Sequence, residues 1–222
     1  MSNVDIIELK ESILEDNDAD AELLRQELKA KKICLINLMS SPGSGKTTTL
    51  LALNRYLNEA INWGVMEADI DSDVDAKTMQ AAGVPSIQLH TGGMCHLDAD
   101  MTRQGINAFN RDDLDMVVLE NIGNLVCPAE FDTGAALNLT LLSVPEGHDK
   151  PAKYPLMYEV SDVLVVNKID ALPVFDFDKE QVEAYVRELN PDIKIFYISA
   201  KTGEGVQELA NYLIDYVRDW NR

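Results

Sequence analysis

Two rhythms alternate along the chain. Short, almost unbroken apolar runs at 33–38, 63–66, 86–89, 116–119, 139–144, 163–166 and 195–198 read as strands buried on both faces. Helical periodicity follows most of them, over 46–60, 98–110, 179–189 and 206–220. Apolar strands separated by helix-length segments predict an α/β fold, a parallel sheet covered by helices on both faces. Ahead of the first strand, Ile6, Leu9, Ile13 and Leu14, then Leu23, Leu24 and Leu28, recur at helical spacing. They predict one or two polar helices over 5–32, broken at Asp16-Asn17-Asp18. No repeat or low-complexity linker follows. The expected organisation is a helical extension over 1–32 and a single domain over 33–222.

Composition narrows the classes. A chain of 222 residues buries a full core without disulfides or metal staples. No apolar run approaches the roughly 18 to 20 residues of a bilayer-spanning helix. The acidic N-terminus lacks the basic segment of a secretory signal, and three cysteines do not suggest a disulfide framework. A cytoplasmic protein is expected. The formal charge of −19 argues against nucleic acid or an anionic membrane as partner. Phosphate must therefore be gripped by a local nest of backbone amides. The acidity itself suits plain solubility or a basic partner.

Such a nest follows the first strand. Ser40-Ser41-Pro42-Gly43-Ser44-Gly45-Lys46-Thr47 nearly matches G-x-x-x-x-G-K-[ST] and opens a helix. Small residues let successive amides wrap phosphates at a helix N-terminus. Gly43, Ser44, Gly45, Lys46, Thr47 and Thr48 are the candidate phosphate ligands, with Lys46 reaching the β- and γ-phosphates and the Thr47 hydroxyl reaching Mg²⁺. The departure is Ser40, where the first glycine belongs, so its backbone freedom is in question.

Cys95-His96 and Cys127 carry a second chemistry. Thiolate and imidazole suit Zn²⁺ or Ni²⁺, and three ligands are one short of a closed zinc site. Water or a second subunit would complete the sphere. The residues alone leave both a metal site and a chance spacing open. Cys34, inside the first strand, reads as a buried hydrophobe. His90 and His148 are weaker metal candidates.

At two later strand ends, Asn167-Lys168-Ile169-Asp170 and Ser199-Ala200-Lys201 resemble the base-recognition motifs of P-loop GTPases. The resemblance implies that Asp170 accepts from guanine N1–H and the exocyclic amine. It also implies that Lys168 lies along the ring and that the Ala200 amide meets O6, with Asn167, Ser199 and Lys201 completing the pocket. Adenine lacks those donors, and an unpaired buried carboxylate is costly.

The order of motifs resembles one family more closely. The phosphate loop is followed by G-G-x-C-H-L-D-A, E-N-x-G-N-L-V-C-P, E-G-x-D-K-P-x-K-Y-P and N-K-x-D. The chain is similar to the nickel-inserting GTPases that mature nickel–iron hydrogenases, over about residues 33 to 220. The resemblance implies GTP/GDP with Mg²⁺, and Ni²⁺ or Zn²⁺ on Cys95, His96 and Cys127 at a GTP-dependent homodimer interface. It implies a γ-phosphate switch at Glu120 and Gly123, and a lysine, Lys153, reaching nucleotide across the dimer. Asp69 and Asp75 match acidic positions for Mg²⁺ and the attacking water. Thr47, Asp69, Asp75 and Glu120 are thus the Mg²⁺ candidates, and together with Lys46 the catalytic ones. The implied partners are the hydrogenase large subunit and other maturation proteins. The chain departs from the pattern at Ala68, Thr78, Thr133 and Ala135. Residues 1–32 hold no Cys or His, which disfavours nickel storage. Two alternatives stand: a GTPase chaperone for urease or a corrinoid enzyme, and a GTP-binding module with a structural zinc.

Overall fold

The computed structural model describes residues 3–69, 74–91, 93–109, 111 and 113–222, with side chains from Asp16 onward. The apolar runs are strands β1 (Cys34–Ser40), β2 (Trp63–Asp69), β3 (Ser86–His90), β4 (Met116–Glu120), β5 (Leu137–Ser143), β6 (Val163–Asn167) and β7 (Lys194–Tyr197). They form one parallel sheet in the order β3-β2-β4-β1-β5-β6-β7. Every residue of β1, β4 and β6 is buried, as a sheet covered on both faces demands.

The helices are α1 (Asn3–Lys31), α2 (Lys46–Leu57), α3 (Val74–Ala81), α4 (Ala99–Ala108), α5 (Cys127–Glu130), α6 (Lys150–Lys153), α7 (Pro155–Glu159), α8 (Lys179–Leu189) and α9 (Val206–Trp220). Alternate residues of β1 serve opposite faces. Cys34, Ile36 and Leu38 join Leu50 and Leu53 of α2 and Leu209 and Leu213 of α9 in one cluster. Leu35 joins Leu24 and Leu28 of α1 and Ile106 of α4 in another. Met39 joins Tyr158 of α7 and Val182 and Val186 of α8 in a third. Cys34 is the core thiol expected of it.

Two sequence expectations need correction. The break at Asp16-Asn17-Asp18 does not occur: α1 continues through it. Asn breaks helices by hydrogen-bonding its own backbone, but the Asn17 amide is drawn away to Asp132 O and to the Ala99 amide. Leu23 is not part of the buried stripe and is 56% exposed, while Leu24 and Leu28 are buried. The side chains of Ile6, Leu9, Ile13 and Leu14 lie outside the described residues, as does Asn110 at the end of the expected 98–110 helix. Helix α3 was not anticipated, because only Ala76 and Met79 face the core and one pair gives no periodic signal.

Strand β1 has β4 on one side and β5 on the other, so the order reverses around it. In open α/β sheets ligands bind beyond the carboxyl ends of the strands at that reversal. The candidate residues from β1, β2, β4 and β6 all stand there.

Candidate functional site

Ser40 is the last residue of β1, so the phosphate loop begins only after it. Among the described residues, only Lys32 and Lys168 are non-glycines with positive φ, so Ser40 carries no left-handed strain. Its side chain contributes instead: Ser44 Oγ donates to Ser40 Oγ at 2.7 Å, and Ser40 Oγ donates to Ser41 O at 2.8 Å. The left-handed turns fall on Gly43 (φ 75°) and Gly45 (φ 102°), where glycine adopts them freely. α2 starts at Lys46 with no side-chain cap, leaving its first amides for an anion. Thr48 is exposed on that first turn. Ser41 Oγ in the loop donates to Glu146 outside it, whose Oε2 accepts from Ser143 N (2.8 Å) and Ser143 Oγ (2.7 Å).

The base motifs are wired to this loop. Asn167, buried at the end of β6, donates through Nδ2 to Ser44 O at 3.1 Å and accepts through Oδ1 from the Ala200 amide at 3.1 Å. It therefore joins the phosphate loop to the Ser199-Ala200-Lys201 turn. Lys168 adopts a left-handed backbone, and its Nζ donates to Gly43 O at 2.6 Å, laying the side chain across the loop. Ser199 Oγ donates to Asp170 Oδ1 at 2.7 Å and accepts from the Thr202 amide at 3.1 Å, which fixes the carboxylate's direction. Lys201 is largely exposed, with its Nζ 3.9 Å from Asp170 Oδ2.

An acidic patch lies beside the loop. Thr47 Oγ1 donates to Glu120 Oε1 at 3.2 Å, and Lys46 Nζ lies 3.9 Å from the same oxygen. Glu67 and Glu120 are register partners on β2 and β4, which puts both side chains on one face. Glu67 Oε1 is buried and has no partner among the described residues. Burial pushes the Glu67 carboxyl well up, and the Glu120 charge pushes it further. Burial also raises Glu120, against the pull of the Lys46 ammonium. Together with Lys46, Asp69, Asp75 and Gly123 they line a cavity of about 50 Å³. An orphaned carboxylate oxygen, a hydroxyl and an adjacent lysine fit Mg²⁺ with phosphate oxygens. Asp69 ends β2 and Asp75 lies in the exposed first turn of α3; Ile70 to Asp73, between them, lie outside the described residues. Thr78 Oγ1 turns back to Val74 O at 2.8 Å, and Ala68 is buried in β2.

Gly123 packs against the phosphate loop: a Cβ there would stand 3.1 Å from Pro42 Cα. The chain then runs to Cys127, at the start of α5. Cys127 Sγ is 2.8 Å from Cys95 Sγ and accepts from Asn124 Nδ2 at 3.6 Å. The hydrogen bond with Cys95 and then burial raise the Cys127 thiol. His96 is not drawn into this pair. Its ring stacks on Phe131, centroids 3.7 Å apart and planes within 8°, and burial lowers its affinity for a proton. Among the described residues no group of three or more His, Cys, Asp or Glu side chains converges as a metal site. Two adjacent thiols, with the His96 imidazole next to Cys95 in sequence, are nonetheless a soft donor set.

Lys153 is exposed and paired with Asp149 at 2.5 Å. His90 ends β3 in an exposed position, and His148 accepts from the Asp178 amide at 3.3 Å. The sequence reading missed Glu67, Glu146 and Asn17. A carboxylate inside the strand Trp63–Asp69 was the available signal for Glu67, since a charge in a doubly covered strand needs a reason.

This sheet, with a glycine loop and Lys-Thr opening a helix after β1 and N-K-x-D after β6, defines a P-loop nucleotide-binding protein of the GTPase class. Residues 34–197 match the CobW/HypB/UreG nucleotide-binding domain, and the chain belongs to that family. It is 43% identical over 208 residues to the hydrogenase maturation factor HypB of Azotobacter chroococcum, covering 94% of this chain and 68% of that one. Against its Escherichia coli K12 counterpart it is 42% identical, covering 96% and 73%. A crystal structure of HypB from Helicobacter pylori in complex with nickel superposes with a TM-score of 0.87 at 36% identity, covering 92% of this chain and 96% of that one. HypB from Archaeoglobus fulgidus gives 0.84 at 32% identity, covering 92% and 100%. Among the described residues no helix is long and apolar enough to cross a membrane.

Proposed function

We propose that this chain is a GTP-hydrolysing metallochaperone that delivers nickel during nickel–iron hydrogenase maturation, working in the cytoplasm as a homodimer when GTP is bound. The carrying observation is that Glu120, bonded to Thr47, and Cys127, touching Cys95, sit on one short stretch of chain. Relatives named as hydrogenase maturation factors and the nickel-bound neighbour support the reading. The hydrogenase large subunit and other maturation proteins are the proposed partners.

In this reading the amides of Gly43 to Thr48 and the Lys46 ammonium bind the phosphates. Asp170, aimed by Ser199, accepts from the guanine N1–H and amine, while Lys168 covers the ring. Asn167 braces the two loops, and the Ala200 amide and Lys201 close the pocket. Thr47, Glu120, Asp69 and Asp75 would hold Mg²⁺, which when bound neutralises developing phosphate charge. Catalysis is positioning and charge stabilisation, carried mostly by Lys46 and Mg²⁺, and slow intrinsic turnover is expected. Lys153 would reach nucleotide across the dimer after leaving Asp149. Gly123 rests on Pro42, so loss of the γ-phosphate releases the loop that carries Cys127. Nickel is the cargo, held by Cys95 and Cys127 with His96 swinging off Phe131.

The test is nickel stoichiometry and affinity with GDP and with a non-hydrolysable GTP analogue, read beside molecular mass. A difference in both is expected, with a coupling of about 1–3 kcal/mol. Equal affinity and equal mass in both states would refute the proposal. A urease client is the second reading, since relatives from Helicobacter hepaticus and Helicobacter pylori are named hydrogenase/urease maturation factors.

A further inference from the structure

Asn17 lies 78 residues or more before either thiol, on a helix that ends before the nucleotide domain begins. It is 9% exposed, and both ends of its amide are used. Nδ2 donates to Asp132 O at 2.9 Å, and Oδ1 accepts from the Ala99 amide at 3.0 Å. Ala99 follows the Cys95-His96 loop closely, and Asp132 follows the Cys127 turn just as closely. One buried side chain therefore ties together the two segments that carry the thiols.

The rest of α1 reinforces the tie from both sides. Arg25 binds Asp132 through Nη2 at 2.9 and 2.7 Å and donates from Nε to Ala135 O at 3.0 Å. Arg103 of α4 grips Asp20 at 2.9 and 2.8 Å and reaches Glu27 at 3.3 Å. Gly134 permits the close approach: a Cβ there would stand 2.9 Å from Leu24 Cδ2 and 3.0 Å from Ala21 O. At the far end of the same frame, His96 stacks on Phe131.

We infer that α1 is a splint for the thiol pair, and that Asn17 is a positioning residue setting the separation of Cys95 and Cys127. The metal consequence rests on the nickel reading above; the geometric one does not. Without the Asn17 bridge the two segments lose a buried tie just behind the thiols, and each thiol wanders with its own loop. Partners that orient metal-bearing segments from behind are often as influential as the ligands.

The full chain carrying Asn17→Ala is compared with the parent in two measurements. The first is the rate of Cys95–Cys127 disulfide formation with diamide, mapped by peptide mass. Two thiol protons and two electrons pass to the diazene, leaving a disulfide and a hydrazine. Cys34 is buried, with its thiol pushed up to about 12, and does not compete. The second is Ni²⁺ titration followed by thiolate-to-nickel absorption. Both the disulfide rate and the Ni²⁺ affinity are expected to fall about tenfold, with GDP affinity unchanged. A folded Asn17→Ala protein that closes its disulfide at the parental rate overturns the inference. A slowed disulfide in a protein whose parent binds no nickel upholds the splint and discards the nickel reading. If Asn17→Ala does not fold, Arg25→Met removes the Asp132 pair and the bond to Ala135 O while leaving Asn17 in place; a smaller slowing is expected, and none would overturn the inference.

Discussion

The Asn167 amide nitrogen stands 2.7 Å from the point where a Cβ on Gly45 would sit. The base loop thus occupies the space that the missing side chain leaves in the phosphate loop. Gly45→Ala must both strain a backbone at φ 102° and push Asn167 off Ser44 O. A loss of about 1–3 kcal/mol of stability is expected, with guanine-nucleotide binding abolished. Gly43→Ala is the control, because its φ of 75° is also left-handed but a Cβ there meets nothing within 4 Å. Denaturant melts and fluorescent-GDP titration compare the two. Equal damage from both would show that the Asn167 contact is not the cause.

Asp170 is held by Ser199 Oγ at 2.7 Å on Oδ1, with Lys201 Nζ 3.9 Å from Oδ2, and in the proposed function its remaining lone pairs accept from guanine. Asp170→Asn replaces an acceptor with a donor amine. Guanine then loses the bond from its amine outright and keeps only a neutral bond from N1–H, so the lost charge-assisted contact costs about 1.5–3 kcal/mol, or at least tenfold in affinity. Xanthine carries a carbonyl where guanine has its amine, and it should become the preferred ring. Competition between GDP and XDP on the variant measures this, and undiminished GDP preference would remove Asp170 from base selection.

The fold was legible because a doubly covered parallel strand needs an apolar run, and each of the seven strands has one. The site was legible only where a motif is local in sequence. Glycines, Lys46, Thr47, N-K-I-D and S-A-K each lie on one continuous turn. Glu67 stands out in sequence as a charge inside a strand, but its pairing with Glu120 became visible only through the register of β2 and β4. Asn17 reads as a helix breaker in sequence because its two partners are Ala99 and Asp132, far along the chain. The proximity of Cys95 and Cys127 likewise depends on loops that no spacing rule brings together.

The buried Glu67–Glu120 pair makes the nucleotide-free protein sensitive to base. Both carboxyls are raised above the ordinary 4.5, by burial first, so the folded chain holds protons that the unfolded chain has released. Stability depends on pH through the difference in bound protons, and here the unfolded state binds fewer. The pair's contribution is complete below about pH 4.5 and is lost as pH rises through and beyond neutrality. The melting temperature of the nucleotide-free protein should therefore fall from pH 5.5 to 8.5. Glu67→Gln removes one titrating group, flattening that fall and stabilising the protein at the upper end. Carboxylates held down by arginine or lysine, such as Asp20, Asp113 and Asp149, act at lower pH and do not mask it. A slope unchanged by Glu67→Gln would locate the dependence elsewhere.

Cys95 is exposed and Cys127 only partly covered, and neither belongs to a buried apolar cluster. Replacing either should therefore cost little stability, within about 0.5 kcal/mol, as for surface positions generally. A structural metal would behave differently, since its binding energy is folding energy. Cys127→Ala is thus expected to melt near the parent and to hydrolyse GTP at the parental rate, because Thr47, Lys46 and Glu120 keep their contacts. Nickel binding should be lost. Melting curves, phosphate release and nickel titration on one preparation decide between the readings. A variant that unfolds would make the thiol pair a structural site. A folded variant that still binds nickel at the parental stoichiometry would place the cargo elsewhere.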